Sequence, residues 1–143
     1  MCLGMKDSFV TGSFDFIIRG IDLSPDEITK MLNLKPSKVR KKGEIITKDI
    51  KMKDSYWNYQ VKFKGYDELN QALEKFLSTL LPYKAFIREI SEGFDAYIFF
   101  SLRSNLGQIG FDLQPKTLRA LGDLNIRFEV NILSYGEVED TSN

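Results

Sequence analysis

The chain has 143 residues, 20 basic and 20 acidic side chains and hence no formal net charge, and 43% of its residues are hydrophobic. This length and composition predict one globular domain with a single core and exclude a disordered chain. Histidine is absent and cysteine occurs once, as Cys2. The missing imidazole excludes Ser-His-Asp and Cys-His catalysis and the common zinc sites, and the lone thiol excludes an internal disulfide framework.

The same composition bears on location and extent. The sequence shows no signal-peptide core and no apolar run long enough to span a bilayer. We therefore expect a cytoplasmic protein without a membrane segment. Residues 1–143 are expected to form a single α+β domain, with frayed ends at 1–8 and 137–143.

The first two predicted elements are a strand and a short helix. Residues 13–19 alternate in hydropathy and predict a strand with one buried face. Ser24-Pro25-Asp26-Glu27 is typical of a helix start, because Ser24 can cap the exposed amides and Glu27 can complete a capping box. We expect the helix to end near Asn33 and to bury a stripe formed by Ile28, Met31 and Leu32.

The middle of the chain combines a basic segment with a strand and a long helix. Residues 35–54 predict a long polar loop or a weak edge strand at Glu44–Thr47, with Gly43 as a turn residue that needs a positive φ. Apolar and polar residues alternate over 57–64, which is the clearest strand pattern in the sequence. Asp67 is expected to cap a helix of about 14 residues with one wholly apolar face.

The second half is predicted to be mostly strand. Residues 85–90 and 96–102 flank Ser91-Glu92-Gly93 and predict a hairpin. Pro115 is expected to begin a third helix that buries Leu118, Leu121 and Leu124. Alternation over residues 126–132 predicts a last strand.

These elements predict the fold class. One largely antiparallel sheet with helices on one face, a two-layer α+β sandwich with ferredoxin-like βαβ elements, buries every apolar face. A weak internal echo accompanies this order, since Asp22-Leu23-Ser24-Pro25 and Asp112-Leu113-Gln114-Pro115 each lead into a helix. The two units either occupy equivalent places in the fold or reflect convergent strand–proline–helix junctions.

The sequence offers no recognisable catalytic or cofactor motif. Neither a phosphate-binding glycine loop nor a dinucleotide fingerprint occurs. The carboxylate pairs Asp26-Glu27 and Asp67-Glu68 lie in predicted first helical turns, where they favour the helix dipole. Asp15 and Asp95 lie on or beside strands, and the sequence leaves open whether they converge. We therefore predict no catalytic residue, no metal site and no cofactor.

The strongest charge signal is the basic stretch Lys38-Val39-Arg40-Lys41-Lys42. It can contact phosphates or acidic protein surface, and the two aromatic residues at positions 56 and 57 can stack on bases. A solvated loop and a core or edge-strand Trp57 are the plainer interpretation, which the neutrality of the chain favours. The predicted partner-binding residues are Lys38, Arg40, Lys41, Lys42, Glu44, Tyr56 and Trp57.

A family resemblance follows from one group of residues. Within about residues 14–63, these residues match a family pattern in order and spacing. The helix start Asp22-Leu23-Ser24-Pro25 comes first, followed by Ile28-Thr29, Leu32, Leu34, Pro36, Lys42-Gly43-Glu44 and Trp57. This pattern resembles the bacterial family of unknown function numbered 4279. The resemblance implies a small cytoplasmic α+β domain and brings no catalytic residues. Relatives resemble the stand-alone neighbours of secreted toxins, where such domains serve as immunity proteins.

Three functional hypotheses follow. The leading one is a non-enzymatic protein-binding domain, specifically an immunity protein that neutralises a bacterial toxin by surface complementarity. The alternative is a small-molecule or nucleic-acid binding domain that uses the basic 38–42 loop and Trp57. The third is an enzyme that uses only carboxylates and lysines, which requires two buried acids within about 5–10 Å of each other.

Overall fold

The order of strands and helices agrees with the sequence prediction at most elements and departs from it at the short strands of the basic segment and at residues 84–93. The structure, a computed structural model, describes residues 9–137. The predicted fraying of residues 1–8 and 138–143, and Cys2, lie outside the described residues, whereas residue 137 belongs to a strand. The elements are β1 (Val10–Gly20), α1 (Pro25–Leu32), β2 (Lys38–Arg40), β3 (Ile45–Thr47), β4 (Ile50–Lys51), β5 (Ser55–Lys64), α2 (Gly65–Leu80), α3 (Lys84–Gly93), β6 (Asp95–Leu106), α4 (Pro115–Leu124) and β7 (Arg127–Glu137).

Five strands form the main sheet in the order β2-β5-β1-β6-β7. The pairings of β1 with β5 and β6, and of β2 with β5, are antiparallel, whereas β6 and β7 are parallel. The first part of the chain is therefore a ferredoxin-like β-α-β-β-α-β unit with strand order β6-β1-β5-β2, and α4 and β7 extend it beyond β6. The predicted α+β class with a largely antiparallel sheet is confirmed.

The core lies between the sheet and the helices. Phe14 of the central strand stacks on Phe100 with ring centroids 4.7 Å apart, and it also packs against Phe63 and Phe76 at 5.5 and 6.0 Å. Helix α2 contributes six buried side chains at helical spacing to the same cluster: Leu69, Ala72, Leu73, Phe76, Leu77 and Leu80. Aromatic side chains bury much apolar area each, so this cluster is the main source of stability.

Helix α2 differs from its prediction at its start. It has 16 residues and begins at Gly65, with Lys64 at the N-cap position and no side-chain cap. The backbone amide of Lys64 instead donates to the Glu68 carboxylate at 3.0 Å. Asp67 is therefore not the cap; it lies in the first turn, where its charge favours the helix dipole.

The predicted faces of α1 and α4 are partly wrong. Ser24 occupies the N-cap position of α1 but makes no side-chain cap hydrogen bond, so the expected capping box does not form. Met31 is 56% exposed and Leu118 is 53% exposed. Both helices are short and contact the core through fewer positions than their apolar patterns suggest, namely Ile28 and Leu32 in α1 and mainly Leu124 in α4.

The predicted strand at 85–90 is wrong, because α3 occupies Lys84–Gly93. A 3₁₀ turn at Leu81–Tyr83 joins it to α2, so the proline in that turn redirects the chain into a second helix. Ile87 and Ile90 are the buried residues of α3, and their spacing of three fits one helical face. Short apolar runs fit either period, and packing decides between them.

The predicted basic loop contains extended structure. Lys38–Arg40 forms a short edge strand on β5, which the sequence did not predict. Ile45–Thr47 is a strand, close to the expected Glu44–Thr47, but it pairs with β4 in a separate two-stranded sheet. Gly43 has φ +86°, as predicted, and lies in a turn in which the amide of Glu44 donates to the carbonyl of Lys41 at 2.9 Å.

The two echoed sequence units lead into helices with similar ends. Pro25 and Pro115 each begin a helix, and the helices end at Asn33 and Asn125, both in the left-handed region with φ 47° and 55°. Each helix leads from an inner strand to a parallel edge strand, β1 to β2 and β6 to β7. The two crossings differ in the sheet, because β5 lies between β1 and β2 whereas β6 and β7 are direct neighbours.

The turn at Gly43 generates a first prediction. Valine at φ +86° is strained, so Gly43→Val is expected to reduce the free energy of unfolding by about 1–2 kcal/mol. Gly122→Val is the matched control, because an added Cβ at Gly122 in α4 meets nothing within 4 Å and its φ is not positive. Thermal and urea unfolding measure both. An unchanged melting temperature for Gly43→Val contradicts the prediction.

Candidate functional site

One face of the sheet, called here the open face, is not covered by any helix among residues 9–137. It carries the alternate residues of each strand. Across β1, Asp15 lies between Gln60 of β5 and Phe99 of β6. The opposite face carries the apolar core, and the open face carries many polar side chains together with a few apolar ones such as Ile17 and Phe99.

A buried carboxylate forms the centre of the open face. Asp15 is 5% exposed and accepts hydrogen bonds from the Ser13 hydroxyl at 2.8 Å, Asn58 Nδ2 at 2.7 Å and Gln60 Nε2 at 3.0 Å. Asn58 Nδ2 also donates to the Tyr56 hydroxyl at 2.7 Å. Hydrogen bonds to a charged acceptor stabilise by about 1.5–3 kcal/mol each, which offsets the burial of this charge. The network therefore joins β1 to β5.

The end of the open face near Gly20 carries paired charges and aromatic rings. Arg19 donates to Asp54 at 3.2 Å and lies 5.6 Å from the centroid of the Tyr56 ring. The hydrogen bond to Asp54 raises the pKa of the Arg19 guanidinium above its ordinary value. Burial raises the pKa of the Tyr56 phenol, which the hydrogen bond from Asn58 partly opposes. These groups satisfy one another and leave little unpaired charge at this end.

A second arginine repeats this arrangement on the β7 side. Arg127 lies 4.4 Å from the centroid of the Tyr97 ring and donates to Asp95 at 3.2 Å. Burial raises the pKa of the Tyr97 phenol, and the positive charge of Arg19 partly opposes the rise. Cation–π contacts at exposed sites stabilise by about 0.5–1 kcal/mol.

Asp15 and Asp95 do not converge. Asp15 pairs with Phe99 and Asp95 pairs with Arg19, so the two acids are four residues apart along the strands. At about 3.3 Å per residue this separation is about 13 Å. Among the residues described, no group of three or more acidic or thiol side chains can hold a metal ion. The geometry gives the carboxylate-enzyme hypothesis no support.

Two cations of the predicted basic segment are paired with acidic side chains. Arg40 donates to Glu44 at 2.9 Å, and Lys41 Nζ lies 3.8 Å from an Asp26 carboxylate oxygen. The backbone amide of Lys42 donates to the Ser55 hydroxyl at 3.1 Å. Lys38 lies exposed on the edge strand β2. The structure therefore brings Arg40 and Glu44 together, and a partner-binding role for this segment stays a prediction.

Trp57 and Tyr56 point to opposite faces. Tyr56 lies on the open face, whereas Trp57 is fully buried against the helices and meets Phe16 edge to face. Its indole Nε1 donates to the Thr29 hydroxyl at 3.1 Å, and that hydroxyl donates to the carbonyl of Pro25 at 3.1 Å. The prediction that Trp57 contacts a partner is therefore wrong, because alternation along β5 places its ring in the core.

An apolar edge strand is the main feature that the sequence analysis missed. Strand β7 pairs only with β6 among the described residues, which leaves its other edge open. Four of its large apolar side chains are 45–55% exposed; these form the β7 edge, namely Val130, Ile132, Leu133 and Tyr135. The alternation over residues 126–132 predicted the strand but did not identify it as an exposed edge. The adjacent apolar pair Ile132-Leu133 was the available signal, since consecutive apolar residues point to both faces.

The chain matches a protein family over most of its length. Residues 11–135 match a family described as a domain of unknown function, DUF4279. No curated protein and no solved structure matches the chain significantly. The family expected from the sequence is confirmed. Within residues 9–137, no helix is long and apolar enough to cross a membrane.

The Trp57–Thr29 contact generates a second prediction. Thr29→Val removes the acceptor of a buried indole N–H, so it is expected to reduce the free energy of unfolding by about 1–3 kcal/mol. Thr29→Ser keeps the hydroxyl and should lose clearly less. Urea unfolding followed by the fluorescence of the single tryptophan measures both variants. Equal stability of Thr29→Val and the unmodified chain contradicts this account.

The burial of Tyr97 generates a third prediction, on pH. A pKa that is raised in the folded state gives stability that is present below the ordinary value near 10 and is lost as pH rises through the folded value. The free energy of unfolding is therefore expected to fall above about pH 10. Tyr97→Phe should make that fall shallower, and Tyr66→Phe, at an exposed position, is the matched control. Urea titrations from about pH 7 to pH 11 test the difference, and identical curves for the two variants refute it.

Proposed function

The chain belongs to the DUF4279 family, and from this premise we propose that it is a non-enzymatic protein-binding domain, specifically a cytoplasmic immunity protein that occludes a bacterial toxin. The family resemblance implies this role. The β7 edge is the observation that carries the proposal. A stoichiometric inhibitor requires a stable scaffold and a complementary surface, and it requires no catalytic centre.

The β7 edge has the features of a site for strand addition. An edge strand presents a row of unpaired backbone N–H and C=O groups, and natural proteins usually protect such edges with charges, prolines or short length. Strand β7 is 11 residues long and carries no charged side chain from 130 to 136. The other edge, β2, has three residues and carries Lys38 and Arg40. The contrast favours β7 as the edge that a partner covers.

The exposed side chains also indicate how the partner lies. Val130 and Ile132 share the helix side of the sheet with Phe100 and Leu102, whereas Leu133 lies beside Arg103 on the open face. All three are exposed to nearly the same extent, 45–46%. A strand added alongside β7 covers both faces at once, whereas a partner resting on one face covers only one set.

We therefore propose that the occupant is an extended segment of the toxin that pairs with β7. Because residues 130–136 are uncharged, the matching segment is expected to be apolar and uncharged. Backbone hydrogen bonds then supply affinity, and alternate side chains supply specificity.

A fourth prediction tests the proposal and its location on the molecule. Co-expression with the product of the neighbouring reading frame is expected to suppress the toxicity of that product and to yield a co-purified complex. Ile132→Lys places an unpaired charge in the interface and is expected to weaken the complex by about a hundredfold. Met31→Lys, a comparably exposed apolar position on α1, is the matched control and should still protect the cell.

Three outcomes oppose the proposal. If no neighbouring product is toxic alone and none co-purifies, the immunity role fails. If Ile132→Lys protects as well as the unmodified chain, the β7 edge is not the contact. If the purified chain alone sediments as a dimer that Ile132→Lys dissociates, a second copy is the occupant and the toxin segment is not.

The alternative function loses part of its basis. A small-molecule or nucleic-acid binding domain built on the 38–42 loop requires Trp57 as a stacking ring, and that ring is fully buried. Arg40 and Lys41 are also engaged with acidic side chains. Tyr56 is the remaining aromatic of this set on the open face, and it hydrogen bonds to Asn58.

A further inference from the structure

A cationic cleft lies on the open face, at the end away from Arg19 and Asp95. Its volume is about 370 Å³, and it extends across strands β5, β1 and β6. Side chains of Thr11, Ser13 and Ser101 lie along its floor. Neither the protein-binding proposal nor the family resemblance uses this cleft.

The strand register brings three cations to the rim of the cleft. Thr11 of the central strand pairs with Lys64 on one side and with Arg103 on the other. One step along β1, Ser13 pairs with Lys62 and Ser101. Directly opposed residues have Cβ atoms about 5 Å apart. The cations of these two cross-strand rows therefore surround the hydroxyl groups of Thr11, Ser13 and Ser101.

The charge of these cations is not neutralised within the described part of the chain. Over residues 9–137, the structure records no ion pair and no side-chain hydrogen bond for Lys62, Lys64 or Arg103, and all three are exposed. No acidic residue lines the cleft. Converging like charges repel, and a bound anion removes that repulsion.

The floor limits where an anion can sit. The Ser13 hydroxyl donates to Asp15, so the negative charge of Asp15 closes the inner end of the cleft. The hydroxyls of Thr11 and Ser101 have no hydrogen-bond partner in the described structure and remain able to donate. The favourable position is therefore the outer end, between Lys64 and Arg103.

We propose that this cleft binds a phosphate group. The arginine supplies a planar fork of donors that matches a phosphate, the lysines supply point charges, and the two free hydroxyls add neutral donors. A cleft of about 370 Å³ falls within the usual range of small-ligand sites. The phosphate can belong to a nucleotide-sized molecule or to a single-stranded nucleic acid, since both present the same oxygens.

The fifth prediction separates these sources. Two-dimensional NMR titrations at low salt use inorganic phosphate, adenosine monophosphate and an oligothymidylate of about eight nucleotides, within the site size of small single-strand binders. Each probe is expected to shift the backbone amides of Thr11, Lys62, Ser101 and Arg103. Tighter binding of the monophosphate assigns a small phosphorylated ligand. Tighter binding of the oligonucleotide, with affinity falling as salt rises, assigns a phosphodiester chain.

Matched variants distinguish the cleft from general electrostatic attraction. The double variant Lys62→Gln with Arg103→Gln is expected to weaken binding about tenfold or more, because it removes two charged donors. The double variant Lys48→Gln with Lys51→Gln has the same net charge and exposed sites outside the cleft, and it should bind as the unmodified chain does. Equal weakening by both pairs, or no amide shift with any of the three probes, overturns the proposal.

Discussion

The register of the central strand β1 is the constraint on which the rest of the structure depends. Its even-numbered residues, such as Phe14, pack in the aromatic core, while its odd-numbered residues, such as Asp15, face the open side. A slip of one residue would exchange the two sets and place the Asp15 carboxylate in the apolar core. The apolar core on one face and the polar network on the other thus select the same register. That register also places Lys64 and Arg103 on either side of Thr11.

The residues that identify the family are mainly architectural. Thr29 joins α1 to β5 through the Trp57 indole, and Ile28 lies in the core. Gly43 supplies a conformation that other residues adopt only with strain. Motifs of this kind describe how the chain folds. The β7 edge and the residues that line the cationic cleft lie outside this motif.

The two proposed surfaces adjoin each other. Arg103 at the rim of the cationic cleft is paired with Leu133 of the β7 edge. A strand added to β7 would therefore be separated from Arg103 by β7 itself, and it would leave uncovered the floor of the cleft, which extends from β6 toward β5. Helix α4 and strand β7 extend the ferredoxin-like unit beyond β6. Strand β7 therefore supplies the apolar edge, and β6, which carries part of the cleft, becomes an inner strand of the sheet.

Local pattern and residue chemistry by themselves determined much of this molecule. Alternation placed β1 and β5, threefold and fourfold spacing placed α2, and proline and glycine marked the start of α1 and the turn at Gly43, because each of these signals acts within a few residues. Only tertiary packing decided that residues 84–93 are helical, that Trp57 is buried, and that β7 is an exposed edge. Those outcomes depend on which neighbour covers each face, and the cationic cleft exists only because three strands distant in sequence are aligned side by side.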